Sequence, residues 1–232
     1  MSDDENEQKF NIGRHKDMSS FLQPDFDNFD RNFGFIPDNE RWRESLQQID
    51  TSNVQCTTFD SFCQKNYIKS IDFAKIDVQG YEDKVLQGAN NLLENQKIGV
   101  LKIEVSFIPI YQNQPHFSEI DILMRTRGYV LLDLLFFRDE INRMNNSIRK
   151  DKIYEKPRYC LVADAIYYPK CLINLNEREK IRIAFILASM GYLSNSFKIL
   201  ENYFEKNEIE QFFESISLQK SLLDKIKQKL CV

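Results

Sequence analysis

The stretch SIDFAKIDVQGYEDKVLQGA, Ser70 to Ala89, constrains the fold more than any other part of the chain. Ile71, Phe73, Ala74, Ile76 and Val78 make a short apolar run, the pattern of a central strand covered on both faces. Gln79–Gly80 then reads as a sharp turn, because glycine lets the backbone bend tightly or approach a ligand closely. Beyond it, Tyr81, Val85, Leu86, Ala89, Leu92 and Leu93 recur at spacings of three and four, which predicts one amphipathic helix through Gln96. Gly88 inside that helix is expected to allow close helix–sheet packing. A strand, an acidic turn and a helix in this order are how an α/β fold presents a ligand-binding edge.

The flanking segments extend the pattern. NVQCTTFDSFCQKN predicts a short strand, Val54 to Thr57, then a helix capped near Thr58 or Asp60. IGVLKIEVSF reads as a second strand, and PHFSEIDILMRTRGY as a helix with its cap region at Ser118 and its stop at Gly128. YVLLDLLFF is a third strand, NRMNNSIRKDK a polar loop and RYCLVADAIYYPK a fourth strand. The alternation predicts an α/β fold with a mainly parallel sheet of about four strands, whose last member returns by a loop and runs antiparallel. Residues 1–52 show turn formers interleaved with phenylalanines and no period. They are expected to be an irregular segment, frayed over residues 1–9. The domain is read as residues 53–170. Residues 171–232 form a helical tail, in which two helices pair across Gly191. ILASMGYLSNSFKILE there is similar to one helical-repeat hairpin, but one copy is not an array.

Composition excludes several classes of function. The chain has 232 residues, is 42% hydrophobic and 28% charged, and carries a net charge of -4. With Lys and Arg scattered, no phosphate-tracking groove for nucleic acid is expected. No apolar run reaches the roughly 18 residues of a membrane span. The five cysteines form no C-x-x-C pair, and with only His15 and His116 there is no zinc-like spacing, so no metal is expected. Reduced thiols and an acidic, polar N-terminus without a signal peptide point to the cytoplasm.

The candidate chemistry lies at strand ends. Asp77 falls near the end of its strand, and Glu82 in the first turn of the next helix. A carboxylate so placed can bind a cation, hydrogen-bond a hydroxyl or act as a general base. Equally, Glu82 can serve the helix N-terminus alone. Glu104 is an acid inside an apolar strand and needs a partner to offset desolvation. It either caps a neighbouring loop or forms a second wall of the same cleft.

TTFDSFCQKNYIKSIDFAKIDVQGYEDKVLQGANNLL resembles the signature region of the FkbM family of methyltransferases, whose pattern includes iDllKIDvqGxExxVLkGA. The likeness continues through IGVLKIEVSF, Tyr111 and FSEIDILMRTRGYVLLDL, and upstream RHKDMSSFLQP resembles a serine-rich family segment. It spans about Phe10 to Tyr168, is specific over residues 57–133, and departs harmlessly at Phe59, where leucine is usual. The resemblance implies a class I, Rossmann-like fold that uses S-adenosylmethionine, with many members methylating hydroxyl oxygens. It places Asp77, Gln79, Gly80 and Glu82 on the turn after the fourth strand of that fold, and Glu104 at the end of the fifth. Asp77, Gln79, Gly80 and Glu104 are then cofactor-binding candidates. Asp77 and Glu82 are the candidates for acceptor positioning or proton removal, with His15 and His116 weaker ones.

Such a fold is expected to carry a glycine-rich donor-binding turn after its first strand. The seven glycines here, at 13, 34, 80, 88, 99, 128 and 191, form no G-x-G. The expectation is therefore a partial methyltransferase sheet that lacks its amino-terminal, donor-binding half. The implied partners are a small-molecule or glycan acceptor and a complementary N-terminal fragment or second copy. The alternative is an inactive, methyltransferase-like binding or scaffold module.

Overall fold

A computed structural model describes residues 1–33, 39–136 and 161–217. The chain divides into two compact units, Met1–Cys171 and Leu172–Val232.

The larger unit is built on a four-stranded sheet. Its strands are β3 (Ile71–Ile76), β4 (Ile98–Ser106), β5 (Tyr129–Phe136) and β6 (Val162–Pro169), in the spatial order β3-β4-β6-β5. β3 and β4 run parallel, while β6 pairs antiparallel with both β4 and β5. The strand count and the antiparallel return of the last strand agree with the sequence. "Mainly parallel" does not, because β6 inserts between β4 and β5 and leaves one parallel pair of three. The polar loop expected before β6 lies outside the described residues.

One sheet face forms the core. Ala74, Ile76, Leu101, Ile103, Val105, Ala163, Ala165 and Tyr167 point to it and are buried with Val85, Leu86, Leu93, Ile120 and Met124. The last five come from α4 (Glu82–Gln87), α5 (Asn90–Glu94) and α6 (Phe117–Thr126). The other face carries charge: in register, Lys75 sits beside Lys102 and Glu104 beside Asp164.

The long helix read through residues 81–96 is two short helices, broken at Gly88–Ala89. Its apolar period is real, but Asp60 supplies a second cap. Its carboxylate accepts from the Asn91 and Leu92 amides at 2.8 and 3.0 Å. Thr58 caps its own helix, α3 (Phe59–Lys65), by accepting from the Ser61 amide at 3.0 Å. The cap of α6 lies two residues earlier than read: His116 is its N-cap, and its amide donates to Glu119 at 2.8 Å.

Within residues 1–33 and 39–52 the chain forms regular elements, not the irregular segment expected. β1 (Glu7–Gly13) pairs antiparallel with β2 (Gln48–Gln55), around the helices α1 (Phe26–Phe33) and α2 (Asn39–Leu46). Residues 1–9 are not frayed either: Ser2 is fully buried and its amide donates to the Thr57 carbonyl at 3.0 Å. Every residue of β2 is exposed, so no apolar alternation marks it, and it extends well before the Val54 start that was expected. A small second core of Phe29, Leu46, Ile110 and Tyr111 fastens this segment to the stretch after β4.

In the second unit, α7 (Glu177–Ser189) opens with a reciprocal cap between Asn176 and Glu179. It pairs with α8 (Leu193–Leu200) across Gly191, whose φ of 95° suits glycine. Residues 206–217 are helical too, and Phe212 packs on Phe185 with ring centroids 4.6 Å apart.

Candidate functional site

The strand-to-helix turn after β3 gathers the residues singled out in the sequence. Because β3 and β4 are parallel, Asp77 and Glu104 reach the same end of the sheet. Gln79 joins them: its Nε2 donates to Asp77 Oδ1 at 3.1 Å and to Glu104 Oε2 at 3.3 Å. Lys75 adds an ion pair to Asp77 Oδ2 at 2.7 Å. Asp77, Gln79 and Glu104 therefore form one continuous polar cluster.

Glu82 has a different place. It is only 3% exposed, and its Oε1 accepts from the Val78 and Gly80 amides at 3.0 and 3.2 Å. It ties down the turn from beneath. Burial pushes its pKa up to about 7, against the opposing pull of those amides. This geometry makes Glu82 the support of the turn rather than a group offered to a ligand.

Glu104 is the more perturbed acid. Burial, followed by the nearby carboxylates of Asp77, Glu82 and Asp164, pushes its pKa up to about 8, with Lys75 opposing. Asp164 is itself buried and held by Lys102 Nζ at 2.6 Å. Asp164 was missed in the sequence, although it breaks an apolar strand just as Glu104 does. Tyr111 was noted only through the family likeness. Its hydroxyl lies 3.3 Å from Gln79 Oε1 and 3.1 Å from the Met18 carbonyl, and burial raises its pKa.

Gly80 has φ 91° and is covered from above. A Cβ there would meet Tyr111 Cδ2 and Gln114 Cδ, each at 3.1 Å. The Gln79 carbonyl accepts from Ser20 Oγ at 2.7 Å, so the amino-terminal segment also reaches the turn. The two histidines stand elsewhere. His15 is exposed beside Asp17, and His116 opens α6 with Nδ1 3.4 Å from the Phe107 carbonyl. Among the described residues no cluster of His, Cys, Asp and Glu is arranged to hold a metal, and no helix is long and apolar enough to cross a membrane.

The family whose sequence model is described as methyltransferase FkbM domain matches residues 2–131. The chain belongs to the FkbM methyltransferase family. The match takes in β1 to β4, the whole acid cluster apart from Asp164, and the start of β5. A Rossmann-like methyltransferase fold follows from that membership, and the observed α/β sheet is consistent with it. Comparison with curated proteins and with solved structures gives no match. In the FkbM domain seen here, the polar turn is stabilised from below by Glu82 and covered from above by Ser20, Tyr111 and Gln114.

Proposed function

We propose that this chain supplies the acceptor side of an S-adenosylmethionine-dependent O-methyl transfer, with Glu104 as the proton acceptor and Asp77 as its positioning partner. The acceptor is a hydroxyl of a small molecule or glycan. One observation carries this reading: two carboxyls, Asp77 just past the end of β3 and Glu104 near the end of the parallel β4, are drawn into one partly open cluster by Gln79. A base whose pKa lies near neutrality is suited to taking a hydroxyl proton, whereas an ordinary carboxylate is too weak.

The turn itself does not fit a methyl donor. The Gly80 amide is used by Glu82, the Gln79 carbonyl by Ser20, and the space over Gly80 is filled by Tyr111 and Gln114. Of the cofactor-binding candidates, Gln79 has its carbonyl and side-chain amide engaged within the chain, and Gly80 its amide. The carboxyls of Asp77 and Glu104 are the acidic groups of the cluster, bridged by Gln79. The donor is therefore assigned to elements other than this turn, such as a complementary segment or second copy added along the outer edge of β3.

The same closure favours a second reading, a methyltransferase-like binding module without activity. Methyl transfer from labelled S-adenosylmethionine to a panel of hydroxylated acceptors, at millimolar donor, separates the two. Under the first reading transfer occurs and falls about 100-fold or more in Glu104→Gln, the usual span of a lost general base. Transfer untouched by Glu104→Gln removes Glu104 from the chemistry. No transfer to any acceptor, even with a complementary donor-binding segment added, supports the module.

A further inference from the structure

Gln79 is held at more points than a solvent-facing turn residue needs. Its backbone sits at φ 55°, a left-handed conformation unusual for a side chain of this length. Its carbonyl accepts from Ser20, its Oε1 faces the Tyr111 hydroxyl, and its two Nε2 hydrogens point at the two acids. The amide cannot be turned over without loss, since a flip would place Oε1 against two carboxyl oxygens and Nε2 against the hydroxyl. Three segments of the chain thus fix the orientation of one side chain whose donors end on Asp77 and Glu104.

We propose that Gln79 is the positioning residue of the acid pair, an amide clamp that holds Asp77 and Glu104 together and shares one donor with each. This rests on the assignment of the pair above and replaces the cofactor-binding part first given to Gln79. The clamp acts on acidity because a hydrogen bond to a carboxylate favours its ionised form. Without it the two acids repel across an uncompensated gap. The other charged groups facing Glu104 stay in place: Lys75 and Asp77 from β3, Glu82 from α4, Lys102 from β4 and Asp164 from β6, with Tyr111 from the stretch beyond β4.

Carbon-13 carboxyl NMR titration of the full chain tests this without needing turnover. Gln79→Leu removes the amide. Gln79→Asn keeps an amide that is one methylene too short to span both acids, and asparagine tolerates a left-handed backbone, so this variant folds where leucine fails. In both, the Glu104 midpoint moves up by about one pH unit. Tyr111→Phe frees Oε1 and gives a smaller shift in the same direction. An unmoved Glu104 midpoint in the two Gln79 variants overturns the clamp. A shifted midpoint together with unchanged methyl transfer in Glu104→Gln keeps the clamp and discards the catalytic reading.

Discussion

Glu82 is a buried carboxyl and Glu104 a half-buried one, and their substitutions should behave differently. Glu82 accepts two backbone amides. Glu82→Ala leaves both donors buried without a partner and should cost about 2–3 kcal/mol in urea unfolding at pH 7. Glu82→Gln keeps an acceptor oxygen and should cost under about 1 kcal/mol. Glu104 makes a test by pH. Its folded pKa, about 8, lies above the ordinary 4.5. The folded state therefore holds that proton more tightly than the unfolded chain. Its contribution to stability is complete below about pH 4.5 and is lost as pH rises through 8. Glu104→Gln should match the wild type at pH 5 and exceed it by about 1–3 kcal/mol at pH 8.5, measured by denaturant unfolding at both values. That Glu104 needs a partner was legible, because an acid in KIEVSF must be offset. The partner was not, since Gln79 reads as a turn residue until β3 and β4 are set side by side.

At the scale of elements, Gly88 links the helices to the amino-terminal segment. A Cβ there would lie 2.0 Å from the Ser2 carbonyl oxygen, a backbone atom that cannot swing aside. The glycine admits that segment against the helix pair, rather than the sheet as its place in the helical period had implied. Gly88→Ala should cost about 1–3 kcal/mol, the range for an overpacked site. It should also speed hydrogen exchange in residues 2–12 ahead of the sheet core. Uniform exchange across both regions would mean that the contact is not local. The amino-terminal ribbon was hidden for a physical reason. β2 buries nothing, and the residues of β1 find partners some forty positions away, so neither local periodicity nor turn chemistry announces the pair. β3, β4 and β6 were visible because each carries an apolar run long enough to fill a sheet face. The break between α4 and α5 was not, because the cap that makes it comes from Asp60, outside the helical sequence.

At the scale of the whole molecule, β3 is the outer strand of its sheet among the described residues, with Phe73 41% exposed on it. An outer strand offers backbone groups to any strand that can pair with them, and charged side chains are a common guard against unwanted pairing. Lys75, half exposed, and its ion pair with Asp77 stand on that strand next to the acid cluster. The guard and the candidate site therefore share residues, which restricts what the edge can accept to a segment compatible with the acids. A turn whose Val78 and Gly80 amides and Gln79 carbonyl are already used within the chain retains little to bind a nucleoside or a carboxylate. Calorimetric titration of the isolated chain with S-adenosylmethionine or S-adenosylhomocysteine should show no affinity at the micromolar level, about -8 kcal/mol. Micromolar binding would mean that the closure by Ser20, Tyr111 and Gln114 opens in solution. Ser20→Ala should then tighten binding further, because it removes the hydroxyl that occupies the Gln79 carbonyl. If the wild type and Ser20→Ala both fail to bind, the donor must be held by groups that this turn does not contribute.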